Sequence, residues 1–144
     1  MTWHLSLGIL AAVVQLYAIV PYVRDILRRE TRPNVVSWAL WTLFQLIAIW
    51  IMVTSSDGFS WALLLLLAAT FNTGLVVYLC LRGYGDNEFG LTEKACLTIA
   101  LIAIGLYLVT KDAVLAIGFN IVADLVAAWP TIRKTRKDPR SEAW

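Results

Sequence analysis

Asp124 and Asn120 stand four residues apart inside an apolar run that extends from Ala113 to Ile132, a spacing that places both on one face of a helix. A carboxylate and a carboxamide on one stripe can hold a neutral polar or cationic solute, and the carboxylate can carry a proton. If the run crosses a membrane, Asp124 falls about 2 Å from its centre by helix rise. An ionised carboxylate there costs roughly 2.5 to 3.5 kcal/mol. Such a group is expected to face the interior of a bundle as a substrate contact or a proton-coupling carboxylate, the alternative being a protonated or paired structural acid. Asn72, within Phe71-Asn72-Thr73-Gly74, is a second mid-segment polar group, suited either to solute contact or to hydrogen bonding between helices. Trp41 and Trp50 in the segment before it are candidate aromatic neighbours, set against the tendency of Trp to collect at membrane interfaces. Gln15 and Gln45 are weaker candidates, because interhelical hydrogen bonding explains either.

No pattern of enzyme chemistry accompanies these residues. The chain has one histidine, His4, and no zinc-spaced Cys/His set, phosphate-binding glycine loop or nucleophile elbow. The expectation is a protein that is not an enzyme and needs neither metal nor cofactor. A net charge of +2 requires no nucleic acid. The basic run Arg133-Lys134-Thr135-Arg136-Lys137 reads as an anchor on anionic headgroups of the lipid bilayer.

The elements that must position these residues show in the composition. Hydrophobic residues make up 60% of the chain and charged residues 15%, with a mean hydropathy of +0.72, beyond the range of soluble domains. A spanning helix needs about 20 mostly apolar residues. Five segments meet or approach that length: 5–23, 35–54, 59–81, 95–110 and 113–132, the fourth being short. The last two are separated only by Lys111-Asp112. One helix over both would reach about 57 Å at a rise of 1.5 Å per residue, so a tight helical hairpin is expected. Ser55-Ser56-Asp57-Gly58 supplies turn chemistry between the second and third segments. Eleven of the twelve Lys and Arg residues fall on one side of this five-helix arrangement and only Lys111 on the other. The positive-inside rule then puts the N-terminus outside and the C-terminus in the cytoplasm. The first segment has no positive leader region or small-residue cleavage site, so it is read as a helix rather than a signal peptide. Cys80 and Cys96 lie near cytoplasmic helix ends and are expected to be free thiols.

A decapeptide occurs twice near the polar end of an apolar run. Gln15-Leu16-Tyr17-Ala18-Ile19-Val20-Pro21-Tyr22-Val23-Arg24 matches Asp124-Leu125-Val126-Ala127-Ala128-Trp129-Pro130-Thr131-Ile132-Arg133 at Leu, Ala, Pro and Arg. Gln15 and Asp124 thus hold equivalent places, which suggests that both project toward a pseudo-symmetry axis. Each proline withholds a hydrogen bond from the carbonyl four residues earlier, that of Tyr17 or Val126. Kinks at Pro21 and Pro130 are therefore expected to act as hinges or cavity linings.

A first helix with a proline near its cytoplasmic end, followed by the basic loop Thr31-Arg32-Pro33-Asn34-Val35-Val36-Ser37-Trp38 leading into a second helix, resembles the PQ-loop superfamily. That group takes in the SWEET and SemiSWEET sugar transporters, cystinosin-like transporters and KDEL receptors. Tyr22 and Thr131 stand where the name-giving glutamine would be. The resemblance implies an all-α polytopic membrane protein: a three-helix repeat over residues 1–82, a linker with the fourth helix over 83–112, and the start of a second repeat over 113–144. Pro130 followed by Asp138-Pro139-Arg140-Ser141-Glu142-Ala143-Trp144 would open that second unit. Five of seven expected helices are accounted for, which implies a truncated form of a longer protein or a half-assembly that associates as a homo-oligomer. In SemiSWEET-like proteins an Asn of the third helix and a Trp of the second line the sugar pocket, and Asn72 matches by helix and depth.

The expected function is small-solute transport, with Asp124, Asn120 and Asn72 at a central polar site and Pro21 and Pro130 opening the cytoplasmic side. Proton coupling would run through Asp124. The alternative is a receptor-like or structural membrane protein that binds a ligand without moving it. An intramembrane acid with no intramembrane Lys or Arg favours neutral or cationic solutes over anions.

Overall fold

The computed structural model describes residues 2–54, 61–86, 90–110 and 113–138. They form five helices: α1 (Thr2–Leu27), α2 (Val35–Thr54), α3 (Ala62–Leu79), α4 (Leu91–Thr110) and α5 (Ala113–Lys137), with no strand among the described residues. The helices over Trp3–Leu27, Val35–Thr54 and Ala62–Tyr84 are long and apolar enough to cross a membrane. α4 ends at Thr110, α5 begins at Ala113, and the two helices pack on each other, as the length argument requires. Lys111-Asp112, the turn expected at Ser55 to Gly58, and the segment from Pro139 to Trp144 lie outside the described residues. α1, α4 and α5 run beyond the expected limits, because polar residues such as Glu93 and Lys94 join the first turn of α4 and the basic run to Lys137 extends α5.

The helices touch in the order α1, α3, α2, α5, α4, with a smaller contact between α2 and α4. One core lies where α1, α3 and α2 converge: Ile26, Val76, Leu79 and Cys80, with Ile19, Tyr22, Val23, Val35, Trp38 and Tyr84 against them. A second joins α2 to α5 and α4 through Val36, Leu40, Phe44 and Ala127, with Trp41 and Leu97 alongside. Gly8 lets α1 approach the start of α3, since a Cβ at that position would lie 3.0 Å from the Trp61 carbonyl oxygen.

The connections at one end of the bundle are knitted together. α1 closes in a Schellman motif: the Glu30 N–H donates to the Asp25 carbonyl at 2.9 Å and the Arg29 N–H to that of Ile26 at 2.9 Å. This requires Arg29 to adopt φ 60°, where glycine is usual. Its guanidinium lies 5.4 Å from the centre of the Tyr84 ring. Asn34 caps α2, its Oδ1 accepting from the N–H groups of Val36 at 3.0 Å and Ser37 at 3.2 Å. The Asp86 N–H donates to the Pro33 carbonyl at 2.8 Å, and the Val35 N–H donates to the Asp86 carbonyl at 3.1 Å. Past α3 the chain turns tightly through Cys80–Tyr84, with Gly83 at φ 89°. Gly85 is needed because a Cβ there would come within 2.5 Å of Cys80 Sγ. Lys134 Nζ reaches Asp86 Oδ2 at 3.7 Å, and the Thr131 hydroxyl donates to Ser37 Oγ at 3.0 Å, so the end of α5 is tied into the same junction. Cys80 and Cys96 are free and buried.

Asn34→Ala removes the cap of α2 and is expected to cost about 0.5 to 2 kcal/mol, read as a lowered denaturation midpoint in detergent. Asn34→Asp should retain most of that stability.

Candidate functional site

Asn72, Gln15 and Gln45 fall near the midpoints of α3, α1 and α2. Successive helical residues point about 100° apart, so the adjacent Asn72 and Thr73 address different neighbours from between α1 and α2. Asn72 Nδ2 donates to the backbone carbonyl of Gln15 at 2.6 Å. The Thr73 hydroxyl lies 3.1 Å from Gln45 Oε1 and 3.2 Å from the Thr70 carbonyl. The result is a polar seam across the middle of three apolar helices. It joins two expected site residues, Asn72 and Gln15, although Gln15 contributes its backbone rather than its carboxamide.

The seam leaves one atom over. Asn72 is 2% exposed, and its Oδ1 has no hydrogen-bond partner among the described residues. Exchanging the amide's oxygen and nitrogen would set two oxygens against each other at Gln15, so the contact fixes the orientation. A turn further along α3, Val76 lies in the core that carries Trp38. Trp38 Nε1 is likewise buried without a hydrogen-bond partner. Trp38 is gripped by two rings, Tyr22 at 5.3 Å and Trp41 at 5.3 Å in an edge-on arrangement. An acceptor and a donor, both desolvated, therefore border the same helix trio, with aromatic surface beside the donor.

The remaining expected residues are dispersed. Trp41 is half-buried against Trp38 and the α2–α5 core. Trp50 is 70% exposed and stands apart from this group. Asp124, expected to face the interior, is exposed on α5. The contacts of α5 with α2 run through Ala127 and Thr131, with Lys134 reaching Asp86 at the knitted end; Asp124 precedes Ala127 by three residues and Lys134 by ten. Asn120 lies one turn further along α5 and its side chain is outside the described residues. The two prolines also differ. Both helices continue through them, but Pro130 is fully buried at the α2–α5 junction and Pro21 is exposed on α1. The equivalent positions Gln15 and Asp124 thus have unlike surroundings.

Sequence reasoning passed over Trp38, Thr73 and the Ser37–Thr131 pair. The signal for Trp38 was its place one turn into α2, at a spacing of three residues from Trp41, which sets the two indoles on one face.

No family model, curated protein or solved structure matches the chain.

Thr73→Val and Gln45→Leu remove the two ends of the α2–α3 link. Their coupling in a double-mutant cycle should be about 0.6 kcal/mol, the usual size for such a bond inside a membrane, measured by reversible unfolding in mixed micelles. Additive effects would mean that the helices are held by apolar contact alone.

Proposed function

We propose that this chain is a small-solute membrane transporter, or a transporter-derived unit, which takes a neutral or cationic solute at a polar site midway across the bilayer. One observation carries the reading: Asn72 Oδ1 is buried at mid-helix depth with no partner among the described residues. An unsatisfied buried acceptor costs about 1 to 3 kcal/mol, and such atoms call for a specific explanation. A solute group that donates a hydrogen bond would satisfy it. The Trp38 indole N–H would meet an acceptor on the same solute, and hydroxyl or amide groups offer both.

In this reading all five helices cross the membrane, with the N-terminus outside and the knitted, basic end in the cytoplasm. The first three form the repeat expected of a PQ-loop relative. α4 acts as a linker and α5 begins a second unit. The Asp86–Lys134 and Ser37–Thr131 contacts close the cytoplasmic end. Flexing at Pro130 and Pro21 opens it, since each proline leaves a carbonyl without its helical partner. Asp124, on α5 and apart from that site, supplies proton coupling in this reading.

Purified protein in liposomes, offered a panel of polyols, sugars, neutral amino acids and organic cations, should take up one class. Asn72→Leu should abolish binding of that class while the helical content is retained. Binding without flux would make the protein receptor-like, and retained binding by Asn72→Leu would overturn the site. Asp124→Asn should abolish uptake or its dependence on pH. Uptake with an unchanged pH profile would remove Asp124 from the mechanism.

A further inference from the structure

α3 packs on α1 and on α2, yet a narrow stripe of it stays uncovered from the middle of the bundle to the basic end. Leu67, Phe71 and Tyr78 are exposed and, at about 100° per residue, project within about 40° of one another. Arg82, exposed in the turn after α3, continues the stripe. Its Nε donates to the Tyr78 hydroxyl at 2.9 Å, and its guanidinium carbon lies 5.3 Å from the centre of the Tyr78 ring. With Nε committed, the two terminal NH2 groups form a fork with no partner among the described residues. The Tyr78 hydroxyl accepts from Arg82 and keeps its own proton to donate. Depth suits this arrangement to one kind of group. The apolar span Ala62–Tyr84 has its midpoint at Thr73. Arg82 stands nine residues further on, about 13 Å at the helical rise, and half of the hydrocarbon core measures about 15 Å. A lipid phosphate in that leaflet lies just beyond the guanidinium, and an acyl chain hanging from it runs back along Tyr78, Phe71 and Leu67.

We propose that Arg82 and Tyr78 bind the phosphate of an anionic phospholipid on the outer face of α3, with one acyl chain against Phe71 and Leu67. A planar guanidinium matches phosphate oxygens two at a time, and the ring that holds Arg82 removes much of the cost of aiming it. The neighbouring end of α1 sets the sign of the headgroup: Arg24, Arg28, Arg29 and Arg32 stand there against Asp25 and Glu30, a field that favours a net negative headgroup over a zwitterionic one. The proposal rests on the reading that α3 crosses the bilayer with its basic end at a headgroup layer, and it goes beyond that reading by giving α3 a lipid partner that is independent of any solute.

The test uses the full-length chain in mild detergent, titrated with dioleoyl phosphatidylglycerol or dioleoyl phosphatidylcholine, bound lipid being counted by native mass spectrometry. Phosphatidylglycerol should bind in preference. Arg82→Gln should weaken that binding roughly tenfold, the loss expected for a hydrogen bond to a charged group. Tyr78→Phe keeps the ring and should weaken it less, and Arg82→Lys keeps the charge and should recover only part of the loss. Arg28→Gln, at an exposed arginine of the same end, should change little. All variants are compared at unchanged helical content. Equal binding of the two lipids, an equal loss from Arg28→Gln, full recovery by Arg82→Lys, or displacement of the lipid by inorganic phosphate at matched concentration would each overturn the site, the last in favour of a free anion. A chain that binds phosphatidylglycerol through Arg82 but takes up no solute would keep the site and overturn the transport reading, and uptake by a chain without lipid preference would do the reverse. Release of the chain from native membranes by alkaline carbonate would overturn the membrane placement on which both rest.

Discussion

In an apolar medium a polar side chain on a helix must find its partner in the protein, and α3 answers this with two adjacent residues. Asn72 turns to α1 and Thr73 to α2, so one step of the helix decides which neighbour stands on which side. The order α1, α3, α2 and the depth of each helix relative to the next depend on that pair. Apolar side chains such as Val76 and Leu79 fill the space, but Leu and Val contacts tolerate sliding by a turn. A carboxamide aimed at one carbonyl does not. The same contact leaves the other end of the group over: Asn72 spends its donor on α1, and its acceptor is buried without a hydrogen-bond partner among the described residues.

The second constraint acts at the opposite extreme of the helices. Asp86 joins the loop after α1 through two backbone hydrogen bonds and α5 through Lys134. Asn34, Ser37 and Thr31 are buried beside it. Polar groups at such a junction replace water with one another. Removing one therefore leaves several others short of partners, which makes the junction cooperative. The middle of the bundle is tied at a few atoms and this end at many. Pro130 is itself enclosed at that end.

Much of this architecture was legible in the sequence. The lengths of the apolar runs and the Lys111-Asp112 interruption give five helices and a break before α5, because hydrocarbon thickness limits a span. Asn72 announced itself by being polar in an apolar run. The helix ends were harder, since Arg24, Glu93 and Lys94 are at home both in a terminal helical turn and in a loop. The surroundings of Asp124 were not legible. Periodicity says which residues share a face but not which helix covers that face, and the α2–α5 contact stays near the knitted end. The repeat misled in the same way: identical residues at Pro21 and Pro130 meet different neighbours, one outside and one within the core. Trp38 was hidden by its own commonness near membrane interfaces, and only its packing between Tyr22 and Trp41 sets it apart.

The central claim, that Asn72 clamps α1 with its amide nitrogen while its oxygen awaits a solute, can be read at one side chain. Nuclear magnetic resonance of the Asn72 carboxamide, in selectively labelled protein held in bicelles, reports both ends of the group. The structure predicts one amide proton shifted downfield and protected from exchange, and the proposed solute site adds that this protection stays unchanged when a solute is bound while the shift changes clearly as the oxygen gains its partner. Two amide protons exchanging at the rate of free solvent, with shifts indifferent to any solute that the protein binds, would contradict it.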